Sequence, residues 1–246
     1  MTGLTLRDAI AEMPFSKSEL AQRADVSRTT VLAAEGDESR MRVSTIRELA
    51  LALGYDVRID LDRASDPLAA AGARAMLGDL EPGSDFGHED ELDGWIDRLR
   101  RYSGGEPIGI LREAARLSAA EHRTGSAMFA GPVDVDRLVS AGRASEARWA
   151  LSGAAALDAM GADGGTVTVL WAEDAKRLTE LLAADLRRFR VRSAAGLIVA
   201  PADPTVFVGA STLEDVNLVS PVQAIIDSIA NGGADQRIAE SLAESW

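Results

Sequence analysis

The chain has 246 residues, 46% of them hydrophobic but only 4% aromatic, so Leu, Val and Ala must fill whatever core it builds. Its net charge is −13 and it has no cysteine, which excludes disulfides and thiolate metal sites and fits a reducing, cytoplasmic setting. Arg7 and Asp8 interrupt the first apolar stretch, so no signal peptide is expected; no run approaches a membrane span, and no membrane contact is expected.

In chain order, a first helix is expected from Leu6 to Met13, ending at Pro14. A second opens on Ser16 and carries Leu20 and Ala21 on its inner face. The turn Ala24-Asp25-Val26 follows, and a third helix starts at Ser27 with Arg28, Thr29 and Thr30 exposed and Val31 inward. A supporting helix from Val43 to Leu53 places Ile46, Leu49, Ala50 and Leu53 at 3.6-residue spacing, and Gly54 suits its C-terminus. This is a mostly α, helix-turn-helix arrangement, the form that lays one helix in the DNA major groove. Double-stranded DNA is the expected partner.

The charge distribution bears on that expectation. Residues 1–63 carry 9 Lys/Arg against 11 Asp/Glu, a net of −2, whereas the rest of the chain carries 17 against 28, a net of −11. Within 14–47 the balance is 6 basic to 5 acidic, or +1. The acidity therefore sits in the body of the protein, away from the reading head. DNA binding should be modest, strongly salt-dependent and reliant on dimerisation.

Next, Tyr55, Val57, Ile59 and Leu61 alternate with Asp56, Arg58, Asp60 and Asp62, the period of a short amphipathic strand. A lone strand cannot stand by itself, so it pairs with its counterpart in a second subunit or docks on its own domain; a homodimer favours the former. The first domain is thus expected over 1–63.

Residues 64–125 read as a helical connector. Ser65 is the expected cap of an Ala-rich helix from Pro67 to Leu80, followed by the loop EPGSDFGHED. A helix with Leu92, Trp95, Ile96 and Leu99 comes next, then a break at 103–107 and a helix from Ile108 to His122. Residues 126–246 read as an α/β or α+β domain. Its expected strands are AMFAG, a segment at Trp149, TVTVLWA at 166–172, VRSAAGLIVAPA and TVFVGAS. Its expected helices are VDVDRLVSAG, AAALDAM, Lys176 to Phe189, one entered through Ser220-Pro221, and a last one ending at Trp246.

No catalytic constellation emerges, so neither an enzyme nor a cofactor or metal site is expected. His88 and His122 lack metal-type spacing, Ser152 lacks the G-x-S-x-G elbow, and no glycine-rich loop ends in Lys-Ser/Thr. Glu173-Asp174 follows a strand as an ordinary helix start, and Gln223 and Asp227 stand i, i+4 and so within reach of each other.

Over residues 4–61 the head resembles the Cro-type, or XRE, family of phage-repressor domains. The motifs are ELAxxxxVSRTTV, the pair Glu35-Gly36, and TIRELALALG. The resemblance implies that Ser27 caps the recognition helix and that Arg28 and Thr29 occupy base-reading positions. Arg gives a bidentate contact to guanine and Thr meets a thymine methyl or a base edge. Thr30 would read a base or touch the backbone. Lys17 stands where the family commonly has Gln approaching a phosphate, and Arg40 and Arg42 are further phosphate candidates.

From about residue 143 onward, RWALSGAAAL, TVTVLWA, LIVAPADPTVF and above all VSPVQAIIDSIANGG followed by AESLAESW resemble the C-terminal domain of AbiEi-type antitoxins. Those are the DNA-binding partners in type IV toxin–antitoxin systems. The family pattern leads a helix with Ser-Pro-Val-Gln, carries Asp227, and closes with a Gly turn and a last helix. That family usually begins with a winged helix, where this chain has a repressor-like head. The resemblance implies an autorepressor that counters a co-expressed nucleotidyltransferase toxin. A stand-alone repressor with a ligand-sensing C-terminal domain is the alternative. LSGAAAL is also similar to the opening of nucleotidyltransferase folds, which need an acidic pair on the next strand for Mg²⁺; Thr166-Val167-Thr168-Val169 supplies none.

Overall fold

A computed structural model describes residues 4–36, 40–80, 89–131, 134–189 and 195–246. The chain divides into two units, Met1–Asp62 and Arg63–Trp246. Outside the described residues lie residues 81–88 of the loop EPGSDFGHED, with His88, and the first residues of the VRSAAG segment.

The first unit holds four helices, α1 (Leu6–Ala11), α2 (Lys17–Arg23), α3 (Arg28–Gly36) and α4 (Val43–Ala52). Hydroxyl caps open three of them. Thr5 accepts from the Asp8 N–H at 3.1 Å, Ser16 from Glu19 at 3.2 Å and Ser27 from Thr30 at 3.0 Å. Each such cap is worth about 1 kcal/mol. α1 is shorter than its periodicity suggested and stops before Pro14. At the other end α4 closes on Gly54 (φ +86°), with the Tyr55 N–H on the Ala50 carbonyl at 2.9 Å and the Gly54 N–H on Leu51 at 3.0 Å. That pair of bonds is a Schellman closure, which needs a residue comfortable at positive φ. Ile10, Leu20, Ala21, Ala24, Val31, Ala34 and Leu49 form the core of this unit, with Leu53 packed at its margin.

The alternating segment 55–61 is not a strand in the single chain. A strand needs a ladder partner, and within one copy none of the seven described strands pairs with it. The physical pattern is present; its partner is not.

The second unit begins with α5 (Pro67–Met76), α6 (Glu89–Ser103) and α7 (Pro107–Ser118), followed by a 3₁₀ turn at Ala120–His122. These helices do not form a free-standing connector. Ala70, Ala73, Leu99, Ile110, Leu111 and Ala114 share one apolar cluster with Val222, Ile225, Ile226 and Ala239 from the C-terminal helices. Asp66, not Ser65, caps α5, accepting from the Leu68 N–H at 2.9 Å. Ser65 instead donates to the Ala119 carbonyl at 2.7 Å. The buried Arg74 ties α5 to the chain 131 residues on, donating to the Thr205 carbonyl at 2.7 Å and to Asp79 at 2.6 Å.

The remainder alternates strands and helices: β1 (Ala127–Ala130), α8 (Val135–Ala144), β2 (Trp149–Gly153), α9 (Ala154–Ala159), β3 (Thr168–Ala172), α10 (Ala175–Ala183), β4 (Arg188–Phe189) and β5 (Ala195–Pro201). Then come β6 (Ser211–Leu213), β7 (Val216–Leu218), α11 (Pro221–Asn231) and α12 (Gly233–Ala243). The strands form one mixed sheet of order β4-β1-β5-β3-β2-β7-β6, so the unit is α+β. Parallel pairs (β3 with β5, β2 with β7) sit beside antiparallel ones (β1 with β4 and β5, β2 with β3, β6 with β7).

Every residue of β2 and β3 is buried, which requires cover on both sheet faces. Alternation assigns the covers. Ser152 pairs with Val169 and Ala150 with Trp171, so Ser152 and Trp171 share a face, and both hydrogen-bond Asp227 of α11. Trp149 points the other way, onto Gly142 of α8.

Two elements differ from expectation. The helix read to Phe189 stops at Ala183, and Arg188–Phe189 forms β4. TVFVGAS is not a strand: Pro204–Phe207 is a 3₁₀ turn capped by Asp203, and only its last residue enters β6. Pro204 at the first helical position and an Asp cap outweigh the β-branched content.

Candidate nucleic-acid interface

The geometry of the first unit turns on the link between α2 and α3. The Ala24 N–H bonds the Leu20 carbonyl at 2.9 Å, and the Val26 N–H returns to Ala21 at 3.0 Å. Asp25 between them adopts φ +51°, a left-handed position that a short polar side chain tolerates. The chain thus reverses in a few residues, and Val26 packs against the core. α3 then starts with Ser27 outside the core and Val31 fully inside it.

Ser27 caps α3 as expected, and its Oγ also lies 2.8 Å from Thr30 Oγ1. Thr30 is therefore half-buried and committed to the cap, which leaves its hydroxyl less free for base reading than its position suggested. Arg28 and Thr29 are exposed, and among the described residues neither side chain has a polar partner. They stand on the first turn of α3, where the N–H groups of a helix also favour a phosphate.

Lys17 is differently placed. It opens α2, but its Nζ is 2.7 Å from Glu35 Oε2 near the end of α3. Its charge is spent, in the free protein, on holding the two helices together. Arg40 and Arg42 are exposed at the approach to α4, and Arg42 occupies the N-cap position without a side-chain capping bond. The structure thus joins Ser27 with Thr30 and Lys17 with Glu35, and leaves Arg28, Thr29 and Arg42 presented outward. Arg23, not singled out by motif, stacks over Phe15 at 4.2 Å and pairs with Glu19 at 2.8 Å.

The second unit offers two polar features. Asp227 is completely enclosed and accepts from Ser152 Oγ at 2.6 Å, Trp171 Nε1 at 2.7 Å and Gln223 Nε2 at 3.0 Å. Burial pushes its carboxyl up to about 6, against the pull of those three donors and of the Arg123 charge. Arg123 itself lies 5.3 Å above the Trp171 ring, and burial lowers its pKa. Every partner here is internal, so the cluster joins α11 to β2 and β3. The i, i+4 spacing of Gln223 and Asp227 is readable in the sequence; Ser152 and Trp171 as their partners are not, because β2 and β3 are 75 and 56 residues away.

The other feature is an open cleft of about 560 Å³ between the start of β2 and the β6–β7 hairpin. Arg148 stacks on Phe207 at 4.9 Å within it and reaches Glu173 at 3.4 Å. Asp174 caps α10 through the Arg177 N–H at 2.9 Å, and hydrogen bonds from the Arg148 side chain and backbone, helped by its charge, hold Glu173 below the usual carboxylate range. His122 is 3.2 Å from Glu121. No three His, Cys, Asp or Glu residues come together to hold a metal ion, and no helix is long and apolar enough to cross a membrane, among the described residues. No known family, curated protein or solved structure matches the chain, so the two resemblances stand on their motifs.

Proposed function

We propose that the protein is a sequence-specific DNA-binding transcriptional regulator whose α2 and α3 form a helix-turn-helix. α3 is the recognition helix. The observation that carries this reading is the first turn of α3: a capped helix start with Arg28 and Thr29 exposed and, among the described residues, unpartnered, on a helix whose opposite face is locked by Val31 and Ala34. A side chain held outward on a rigid helix is what base reading requires. Arg28 takes a guanine edge and Thr29 a thymine methyl or base edge. Ser27, Arg40 and Arg42 approach phosphates, with Lys17 available once its pair with Glu35 opens.

The regulator acts as a homodimer on a palindromic operator, with half-sites about one helical turn apart. The C-terminal segment VSPVQAIIDSIANGG supports an antitoxin-like role. In it Ser220 caps α11 and the motif's Gln223 and Asp227 bond each other. In that role the protein represses its own operon and binds a co-expressed nucleotidyltransferase toxin. The cleft at Arg148 and Phe207 supports a second reading, in which the C-terminal unit senses a small molecule. A DNA-tethered nucleotidyltransferase lacks comparable support, since β3 carries no carboxylate.

Arg28→Ala tests the reading. It removes discrimination between operator and unrelated DNA while circular dichroism and melting stay as in the parent. Unchanged discrimination would show that α3 does not read the bases.

A further inference from the structure

Residues 55–62 carry three of their four apolar side chains in the open, with Val57 half-buried. Tyr55, Ile59 and Leu61 are 46%, 62% and 92% exposed. Among the described residues no backbone-to-backbone hydrogen bond reaches 56–62, although the Val57 N–H turns to the Asp56 carboxylate at 2.9 Å. A segment with unmet N–H and C=O groups and alternating apolar side chains is a template for a second strand.

We propose that this segment is the homodimer contact, with residues 55–62 of two copies pairing antiparallel about a two-fold axis at Ile59. The occupant is a second copy because the segment is complementary to itself in one register. Alternation demands that odd residues face odd ones, which rules out an axis falling between two residues. An axis at Val57 runs the ladder into Gly54, whose φ of +86° breaks a strand, and leaves Leu61 uncovered. An axis at Arg58 sets Arg58 against Arg58 and Asp56 against Asp60, like charges directly opposed. An axis at Asp60 sets Asp60 on Asp60 and draws in Ser65, which is held by the Ala119 carbonyl.

The axis at Ile59 avoids all three faults. It places Arg58 opposite Asp60 twice, Val57 opposite Leu61 twice, and Ile59 opposite itself. The one unfavourable match, Asp56 with Asp62, falls at the ladder ends, where water screens it. Over residues 57–61 one face of the ribbon is then apolar and the other carries crossed ion pairs, while Tyr55 falls opposite Arg63 beyond the ladder end. Among the described residues, Arg58 of the free chain has only a 4.0 Å contact with its neighbour Asp60, both largely in solvent.

The inference rests on the reading of the protein as a dimer and not on its binding DNA. The test is a single-cysteine scan in the full-length chain, which has no cysteine of its own, so that any disulfide formed is intermolecular. Val57→Cys, Arg58→Cys, Ile59→Cys and Asp60→Cys are oxidised and run on non-reducing gels, alongside light scattering of the parent. A residue on the axis faces its copy at about 4.5–5.5 Å between Cα atoms, inside disulfide range; residues one step away are about 8 Å apart, beyond it. The expected result is a parent at twice the 26.0 kDa chain mass and rapid cross-linking at position 59 alone.

A monomeric parent would overturn the dimer and the ribbon together. A dimeric parent without cross-linking at 59 would overturn the ribbon and leave the dimer to another surface. Charge reversal adds a second readout. Arg58→Asp weakens dimerisation several-fold, and Arg58→Asp with Asp60→Arg restores it; no restoration would reject the register.

Discussion

Lys17 Nζ lies 2.7 Å from Glu35 Oε2, an ion pair that fastens the first turn of α2 to the last turn of α3. Both side chains are partly exposed, at 38% and 28%, so the pair adds less than about 1 kcal/mol to the fold. Its larger consequence is competition. A DNA phosphate at the start of α2 must draw Lys17 away from Glu35 and then meets the carboxylate left behind. Glu35→Gln should therefore leave melting almost unchanged and tighten DNA binding at low salt. Lys17→Ala should lower the slope of log K against log salt by about 1. Equal slopes for parent and Lys17→Ala would make Lys17 a helix tie and nothing more.

Asp227 should make the second unit pH-sensitive. Burial raises its carboxyl from 3.8 to about 6, so the folded state binds the proton more tightly than the unfolded chain does. Its stabilising contribution is complete below about 4 and is lost as pH rises through about 6, a change of roughly 3 kcal/mol. The Ser152 hydroxyl can accept as well as donate, so it can take the hydrogen bond of the protonated acid. Urea midpoints from pH 4 to 7 should fall for the parent relative to Asp227→Asn, which cannot titrate. Parallel curves would contradict this.

Gly142 is required by the indole it faces. A methyl group there would sit 2.7 Å from Trp149 Nε1 and closer still to the ring carbons. The clash is with the ring atoms of a buried indole, not with the end of a flexible side chain, so Gly142→Ala should destabilise the fold by about 1–3 kcal/mol despite its better helix propensity. Thermal melting measures this directly, and an unchanged midpoint would show that α8 shifts freely on the sheet.

Asp235 secures the entry to β3 from the first turn of α12. It is fully buried and accepts from the Thr166 N–H at 2.7 Å, Thr166 Oγ1 at 2.8 Å and the Val167 N–H at 3.0 Å. Asp235→Ala leaves those donors without an acceptor and should cost on the order of 3 kcal/mol. Asp235→Asn, which keeps one acceptor oxygen, should cost distinctly less. Equal losses by chemical denaturation would point to packing and not to these bonds.

The head is legible because its information is local. Ser16 and Ser27 are caps by type and place, and the spacing of Leu20, Val31 and Leu49 marks one buried side. β3 is legible from the β-branched content of TVTVLWA, and β2 only as a segment at Trp149. What stays hidden depends on distance. That Leu99 and Ile110 belong to the same core as Ile225 cannot be read from the periodicity of their own helices, which shows only that each has an apolar face. The β6–β7 hairpin is masked by its turn, where Glu214 (φ +47°) and Asp215 (φ +70°) take positions that Asn-Gly would have announced. At the interface, exposure of Arg28 and Thr29 follows from helical phase, whereas the diversion of Lys17 depends on Glu35, 18 residues away.

The central claim is that α3 reads DNA, and genome-wide capture of DNA by the purified protein, followed by salt-titrated binding to the recovered site, tests it most directly. The expected result is a recurring inverted repeat, with one copy upstream of the protein's own gene, bound with a steep salt dependence and lost to Arg28→Ala. Recovery of no specific sequence at any salt concentration would contradict the account.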